Sequence, residues 1–291
     1  MKDLSFFERF KQAWGIHARP RVNYVKSKVF PKWSNNYSFK VATKEWSALP
    51  LDDRGYISPK KILELSPKQA KELIKDFERR RYSTNGWRNY KNQWRDSLGL
   101  DNTRHKIIID FGCGLGLESI QFARNSNQII LADINQTSLD AAEYLLNCCG
   151  FNPLEKILIL EDEPLSCLKN RFDIFYSCGV LHHTPALPSI IKEARDYFKS
   201  LETGEYRLLL YSDQAWRIYS GQEINRKTPI TKQKGFYRFV GRMDSVGAYA
   251  DWYDDQKLSE ALKDVAEITK SQYICSDKQY ITFSLKPLLD E

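Results

Sequence analysis

Long apolar runs are missing from the sequence. No stretch of about 18 or more apolar residues occurs, which argues against a membrane-spanning helix. The first residues, MKDLSFFERFKQAWG, place charged side chains among the apolar ones and lack the pattern of a signal peptide. Internal repeats and low-complexity segments are missing as well. With 291 residues, 42% of them hydrophobic, the chain is expected to fold as a soluble, cytoplasmic globular protein.

Cysteine pairs with a metal-binding spacing are also missing. The six cysteines form no CxxC pair and no Cys/His zinc pattern, and most of them lie in apolar runs, where a thiol behaves as a small hydrophobic group. We therefore expect reduced thiols and no metal site. The neighbouring Cys148 and Cys149 could bind a soft metalloid, but their place near the end of a predicted amphipathic helix favours a structural role.

The net charge of +7 is unevenly distributed along the chain. Residues 1–105 contain 23 Lys or Arg and 11 Asp or Glu, whereas residues 106–291 contain 21 and 26. A basic excess of this kind could contact an anionic substrate, a nucleic acid or a membrane surface. The basic residues follow no repeating pattern, so a solvated face is equally compatible with them. We treat residues 1–85 as a basic extension with helices that could act as a lid or as an interaction arm.

Three helices are predicted before the first strand. A short amphipathic helix is expected over LSFFERFKQAW, at residues 4–14. A longer one begins at Ser66 and Pro67, which are typical of a helix N-cap and first turn, and continues through KQAKELIKDFERRR. A third is expected over residues 86–100, where three aromatic residues at spacings of three and four share one face: Trp87, Tyr90 and Trp94.

From residue 106 onward, short apolar runs alternate with amphipathic helices. The runs KIIID, QIILAD, KILIL, FDIFYSC and YRLLLYS predict strands. Strands that alternate with helices predict an α/β fold, a parallel sheet covered by helices on both faces. The alternation lapses over residues 213–256, which we interpret as an insertion over the cleft and a substrate lid. It ends with a helix over QKLSEALKDVA and an antiparallel pair of strands, QYICS and QYITFSLKP.

The segment DFGCGLG follows the first predicted strand and places glycine at residues 112, 114 and 116. In an open α/β sheet this turn is where a ligand approaches the main chain. Asp133 ends the second strand, where a carboxylate can accept hydrogen bonds from a ribose. The spacing GxGxG differs from the dinucleotide pattern GxGxxG, and the carboxylates Asp110 and Glu118 would repel a pyrophosphate. They suit a ligand with an amino group and a sulfonium, which favours S-adenosylmethionine over NAD.

The motifs IIIDFGCGLGLES, LADIN, LEDE and FDIFYSCGVLHHTP resemble those of the class I S-adenosylmethionine-dependent methyltransferases over roughly residues 86–285. VLHHTP is similar to the small-molecule branch, which includes ubiquinone and menaquinone C-methyltransferases. The resemblance implies a Rossmann-like, seven-stranded, mostly parallel sheet with an antiparallel last strand, in a methyltransferase domain at residues 86–291. It also implies a cofactor site: Asp110, Gly112, Cys113, Gly114 and Gly116 at the methionine end, Asp133 and Ile134 at the ribose, Glu161 or Asp162 at the adenine, and Cys178 and Gly179 along the flank.

Candidate catalytic residues follow the fourth and fifth strands. His182 or His183 could take a proton from a hydroxyl or amine acceptor, although a histidine at this place can also pack or cap. Asp251 could orient the acceptor. Four aromatic residues could stack on it or, alternatively, pin the lid to the body: Tyr211, Trp216, Trp252 and Tyr253. Upstream of the sheet, Arg88 could pair with the methionine carboxylate.

The sequence thus predicts an enzyme that transfers a methyl group from S-adenosylmethionine by in-line displacement to an O, N or C atom of a small molecule. A nucleic-acid or protein methyltransferase that uses the basic N-terminal third is the first alternative; a nucleic-acid partner is less favoured because no recognition helix or zinc module is recognisable. A non-catalytic scaffold that binds S-adenosylmethionine is the second alternative.

Overall fold

The computed structural model of the protein describes residues 39–46, 49–50, 56–83, 89–243 and 249–289. The helix predicted over residues 4–14 lies outside the described residues, and so do Trp87 and Arg88. Within the described part of the chain, no helix is both long and apolar enough to cross a lipid bilayer. The same part contains no cluster of three or more His, Cys, Asp or Glu side chains that could hold a metal ion.

A seven-stranded sheet forms the centre of the molecule. Its strands are β1 (Ile107–Phe111), β2 (Gln128–Asp133), β3 (Glu155–Leu158), β4 (Ile174–Cys178), β5 (Glu205–Tyr211), β6 (Ala266–Ile274) and β7 (Tyr280–Pro287). Their order in the sheet is β3-β2-β1-β4-β5-β7-β6. The first five strands are parallel, whereas β7 runs antiparallel to both β5 and β6. The α/β, Rossmann-like class and the antiparallel last strand are therefore confirmed.

The apolar runs form central strands because both faces of the sheet are covered. Successive side chains of a strand point to opposite faces, and β1 supplies Ile108 to one core and Ile109 to the other. Tyr176 and Phe175 divide in the same way on the neighbouring strand β4. All four side chains are buried, so the central strands place their carboxyl ends at a fixed edge of the sheet.

The helices surround this sheet. They are α1 (Phe39–Glu45), α2 (Pro59–Leu63), α3 (Pro67–Arg81), α4 (Gln93–Ser97), α5 (Leu117–Arg124), α6 (Gln136–Cys148), α7 (Leu187–Arg195), α8 (Asp213–Ser220), α9 (Phe236–Arg242) and α10 (Asp255–Leu262). Within the described ranges, three short 3₁₀ helices span Tyr90–Asn92, Leu181–His183 and Ile230–Lys232. A two-residue antiparallel pair joins Leu49–Pro50 to Tyr56–Ile57.

Helix α3 begins as predicted. The Ser66 hydroxyl accepts a hydrogen bond from the Gln69 amide, and the Gln69 side chain accepts one from the Ser66 amide, which completes a capping box. Ile74 and Phe77 on its inner face belong to the core that also contains residues of α5 and α6. The described part of the predicted extension therefore shares the core of the sheet instead of forming a separate body.

The helix predicted over residues 86–100 is largely wrong in its extent. Among the described residues 89–100, only Gln93–Ser97 is α-helical, and it follows the 3₁₀ turn Tyr90–Asn92. Lys91 and Asn92 have φ angles of 52° and 65°, which a right-handed helix cannot contain. Of the aromatic residues of this pattern that the structure describes, Trp94 is fully buried in the core, whereas Tyr90 is exposed.

The segment over residues 213–256 is partly helical. It contains α8, α9 and the third 3₁₀ helix, and the Ser212 side chain caps α8 by accepting from the Ala215 amide. Asp254 caps α10 in the same way. Helix α10 ends at Leu262, earlier than predicted, because β6 already begins at Ala266, before the predicted QYICS.

Candidate active site

A cavity of about 770 Å³ lies at the carboxyl ends of β1, β2 and β4. Twelve residues predicted as site residues line it: Gly112, Cys113, Gly114, Asp133, Ile134, Glu161, Asp162, Cys178, Gly179, His182, His183 and Tyr211. Helix α1 adds Phe39, Ala42 and Trp46 to the lining, and α3 adds Arg81. The predicted residues Asp110, Gly116, Asp251, Trp216, Trp252 and Tyr253 are not part of this lining.

The glycine turn after β1 brings the main chain close to its neighbours. Gly112 has a φ of 78°, and a Cβ atom built there would lie 2.5 Å from a methyl of Val180. Gly116 has a φ of 63° at the start of α5, where a Cβ would lie 3.0 Å from that of Ala142. Glycine is the residue that tolerates both constraints. Gly112 thus keeps the turn open beside the cavity, and Gly116 packs α5 against α6.

Asp133 fixes the turn from the neighbouring strand. Its Oδ2 accepts a hydrogen bond from the Gly114 amide at 2.9 Å, and its Oδ1 accepts one from the Asn135 amide at 3.0 Å. The side chain is buried. Burial raises the pKa of Asp133 to about 6, although the backbone amides oppose that rise.

Asp110 lies behind the turn and does not face the cavity. It accepts a hydrogen bond from the Ser119 hydroxyl at 2.5 Å, and only 3% of its surface is exposed. Burial raises the pKa of Asp110 to about 7, and the nearby Glu118 carboxylate adds to the rise. Asp110 can therefore affect a ligand only indirectly, by holding the glycine turn in place and through the electrostatic field of its carboxylate.

The loop after β3 and the end of β4 form the two sides of the cavity. Strand β3 ends at Leu158, so Glu161 and Asp162 belong to the loop that follows it. The Phe39 amide of α1 donates to Glu161 Oε1 at 3.4 Å, which joins the N-terminal helix to this loop. On the other side, Gly179 has a φ of 77°, and a Cβ atom built there would have no neighbour within 4 Å.

The sequence analysis did not single out Arg81 as a site residue. Its Nη2 lies 2.6 Å from Glu118 Oε1 in the first turn of α5, and the two side chains are only 13% and 10% exposed. The Arg81 guanidinium also lies 4.9 Å from the ring centroid of Phe77 and 5.1 Å from that of Trp94. In the sequence, the three arginines at the end of α3 indicate only a basic helix C-terminus and do not predict a site.

His182 and His183 form a hydrogen-bonded chain. The Tyr211 amide donates to His182 Nδ1 at 3.1 Å, so His182 carries its proton on Nε2. This nitrogen lies 3.0 Å from His183 Nε2, and His183 Nδ1 lies 3.3 Å from the carbonyl of Tyr249. The carbonyl can only accept, so both imidazoles are neutral and all four ring nitrogens are engaged. Burial lowers the pKa of His183 to about 4, which weakens the prediction of a basic histidine.

Asp251 belongs to the segment after β5. Its Oδ1 lies 2.6 Å from Lys257 Nζ and accepts from the Trp252 amide at 2.8 Å. Its own amide donates to the His182 carbonyl at 2.8 Å. The carboxylate is thus paired with a cation and tied to the backbone, and it is not part of the cavity lining.

Three of the four predicted aromatic contacts are packing contacts. Trp216 is fully buried, its ring lies 5.4 Å from that of Phe239, and its Nε1–H donates to the Glu223 carbonyl at 3.3 Å. Trp252 is also fully buried, and Tyr253 is 5% exposed. This arrangement matches the alternative in which aromatic side chains pin the inserted segment to the body.

Residues 109–200 match the protein family described as a methyltransferase domain. No curated protein is significantly similar in sequence.

Three solved structures illustrate the similarity. A methyltransferase from Aquifex aeolicus that depends on S-adenosylmethionine is 11% identical, with a TM-score of 0.48 over 77% of this chain and 100% of that chain. A methyltransferase from Clostridium acetobutylicum that depends on S-adenosylmethionine is 11% identical, with a TM-score of 0.49 over 74% of this chain and 98% of that chain. A ribosomal protein L11 methylase from Lactobacillus delbrueckii is 13% identical, with a TM-score of 0.43 over 66% and 74%.

The family match covers β1 to α7, which supply the glycine turn, Asp133 and the histidine pair. The chain therefore contains a methyltransferase domain over residues 109–200, and this domain implies S-adenosylmethionine as the cofactor.

Proposed function

We propose that the protein methylates a small molecule that binds in the same cavity as the cofactor. The observation that carries this proposal is the contribution of the N-terminal segment to the cavity: Phe39, Ala42 and Trp46 line it together with the glycine turn. A volume of about 770 Å³ lies within the range of small-molecule and cofactor sites. A cavity of this size, lined from both sides, favours an acceptor that enters whole over a polymer that presents one group at the surface.

The residues around the glycine turn suit S-adenosylmethionine. Asp133 retains acceptor capacity beyond its two amide hydrogen bonds, which fits the hydroxyls of a ribose. We assign the α-amino end of the cofactor to Glu118 and its carboxylate to Arg81, since this ion pair lies on the cavity wall beside the turn. Arg81 thereby takes the role that the sequence suggested for Arg88.

The chemistry needs little from the protein beyond position. S-adenosylmethionine supplies an electrophilic methyl group on a positively charged sulfur. The residues of this chain bind and align the two reactants and exclude water, and alignment alone provides effective molarities of about 10⁵ M or more. The residues of α1 and of the glycine turn that line the cavity serve this purpose.

A second candidate function, methylation of an anionic macromolecule, is favoured by one surface feature. Helix α3 carries a basic stripe of exposed side chains at spacings of three and four: Lys68, Lys71, Lys75 and Arg79. The same helix ends at Arg81 on the cavity wall. A stripe of this kind could attract phosphate groups.

The two functions are separated by following the methyl group. The protein is incubated with S-adenosylmethionine labelled on the methyl carbon and with a bacterial cell extract, which is then divided into a low-molecular-mass filtrate, protein and nucleic acid. We expect label in the filtrate, little label with Asp133→Ala, and no effect of the double charge reversal Lys71→Glu/Lys75→Glu. Label in protein or nucleic acid that this reversal abolishes would contradict the proposal and support the second candidate.

A further inference from the structure

We propose that the methyl acceptor is a flat nitrogen heteroaromatic molecule, methylated at a ring nitrogen and held against an aromatic wall that Trp46 completes. The aromatic wall consists of five side chains of the cavity lining: Trp46, His182, His183, Tyr211 and Tyr280. The inference rests on the proposed function, because it names the acceptor of that same cavity.

The aromatic wall is continuous from α1 to β7. The ring centroids of Trp46 and His183 are 4.9 Å apart, and those of His182 and Tyr211 are 3.6 Å apart in a stacked arrangement. Tyr211 continues to Tyr280 at 5.5 Å. Trp46 is partly exposed, whereas the other four side chains are buried. Trp46 is therefore the face that a ligand meets first, and a flat ring is the shape that stacks on it.

The aromatic wall supplies no base for the acceptor. The hydrogen-bonded chain from the Tyr211 amide through both imidazoles to the Tyr249 carbonyl engages all four ring nitrogens. Its direction leaves both rings neutral, and the pKa of His183 is lowered to about 4 by burial. His182 and His183 are positioning residues in this arrangement: they hold the backbone of β5 and of the inserted segment against the cavity.

Two carboxylates of the neighbouring segments already have partners. Glu118 is paired with Arg81 at 2.6 Å, and Asp251, which is not part of the lining, is paired with Lys257 at 2.6 Å. The lining also contains Asp133, Glu161 and Asp162, which we assign to the cofactor, and three more carboxylates, Glu163, Glu193 and Asp196. Because the aromatic wall itself holds no base, an acceptor that stacks on it must bring an unprotonated lone pair at neutral pH. A pyridine-type ring nitrogen has such a lone pair, whereas an alkyl amine or an alcohol does not present a free nucleophile under these conditions.

Methyl transfer to a ring nitrogen requires no proton transfer. The lone pair of the ring nitrogen forms the new bond to the methyl carbon while the carbon–sulfur bond breaks, and the electrons of that bond remain on sulfur. The positive charge moves from sulfur to the methylated ring. Aromatic faces stabilise such a cation, so the aromatic wall that binds the flat acceptor also suits the charged product.

The binding test uses a matched pair of probes on protein saturated with S-adenosylhomocysteine. Quinoline is flat, has a ring nitrogen and is uncharged at neutral pH, whereas 2-decalone is an uncharged bicyclic molecule of similar size that is puckered. We expect calorimetry to show quinoline binding about tenfold more tightly than 2-decalone. Trp46→Ala should weaken quinoline binding about tenfold, Trp46→Phe should restore most of it, and Tyr90→Ala, at an exposed aromatic outside the cavity, should have no effect.

The same experiment separates the failure of this inference from failure of the proposed function. If S-adenosylhomocysteine binds but quinoline does not, or if 2-decalone binds as well as quinoline, the inference is overturned and the cofactor site stands. If S-adenosylhomocysteine itself does not bind, the cofactor assignment is overturned first. Mass spectrometry of quinoline incubated with the protein and S-adenosylmethionine should show N-methylquinolinium as the product.

A second readout tests the positioning role of the histidines. Nitrogen-15 NMR distinguishes the two neutral tautomers of an imidazole, and the chain has only four histidines, which His17→Gln and His105→Gln variants help to assign. We expect the proton on Nε2 of His182 and on Nδ1 of His183, and both rings neutral from about pH 8 to about pH 5.5. Titration of either ring between about pH 6 and about pH 7 would restore a basic histidine and overturn the inference.

Discussion

Asp110 and Asp133 lie at the carboxyl ends of adjacent strands, and both carboxyl groups are buried. Burial raises the pKa of Asp110 to about 7 and that of Asp133 to about 6. Near neutral pH these groups therefore carry part of a proton in the absence of a ligand. A cation bound nearby favours the ionised form, so binding of S-adenosylmethionine is expected to release protons.

The residue-scale prediction is that the affinity for S-adenosylmethionine rises with pH. Between about pH 5.5 and about pH 8 the dissociation constant should fall about tenfold, because a carboxylate ionised in advance costs no proton release. S-adenosylhomocysteine lacks the sulfonium charge and should show a weaker dependence. Calorimetric titrations at several pH values measure both ligands. An affinity for S-adenosylmethionine that is constant over this range would contradict the electrostatic role of the two carboxylates.

At the scale of elements, α8 anchors the inserted segment through Trp216. This side chain is fully buried against Phe239 of α9, so Trp216→Ala should lower the free energy of unfolding by about 3–5 kcal/mol. The affinity for S-adenosylhomocysteine should stay within about twofold, because the residue is not part of the cavity lining. Chemical denaturation and calorimetry measure the two quantities, and a preserved stability with lost binding would show that Trp216 contacts a ligand.

The contact between α3 and α5 depends on the buried pair of Arg81 and Glu118. Removing one partner leaves an uncompensated charge, so Arg81→Met should cost about 3 kcal/mol of stability. The double variant Arg81→Met/Glu118→Met should recover most of that loss.

Cofactor binding separates this structural role of the pair from its role toward the ligand. Both variants should bind S-adenosylmethionine at least about tenfold more weakly than the unmodified protein. If the double variant binds the cofactor normally, the assignment of the amino-acid end to this pair is wrong.

At the scale of the whole molecule, the sequence predicts what depends on neighbouring residues in the chain. The glycine turn and Asp133 could be found because a strand, a turn and a helix follow one another at fixed spacing. The parallel sheet follows from the alternation of strands and helices. The helix start at Ser66 and Pro67 is equally local.

The features that the sequence missed depend on distant packing. Trp46 and Arg81 reach the cavity only because α1 and α3 pack over a sheet that begins at Ile107. Three aromatic residues are of a type that is common in binding sites, but they are buried in the core: Trp216, Trp252 and Tyr253. The helix predicted over residues 86–100 is interrupted at Lys91 and Asn92, whose positive φ angles cannot be predicted from the periodicity of the side chains.

The measurement that tests the central claim most directly is calorimetric binding of S-adenosylhomocysteine to the protein and to two aspartate variants. We predict a dissociation constant of the order of micromolar. In Asp133→Ala the affinity should fall about 10- to 100-fold, since a buried charged acceptor is lost. In Asp140→Ala, a carboxylate on the outer face of α6 paired with Lys156, the affinity should not change. Failure of the folded protein to bind, or equal binding by Asp133→Ala, would contradict the cofactor site described above.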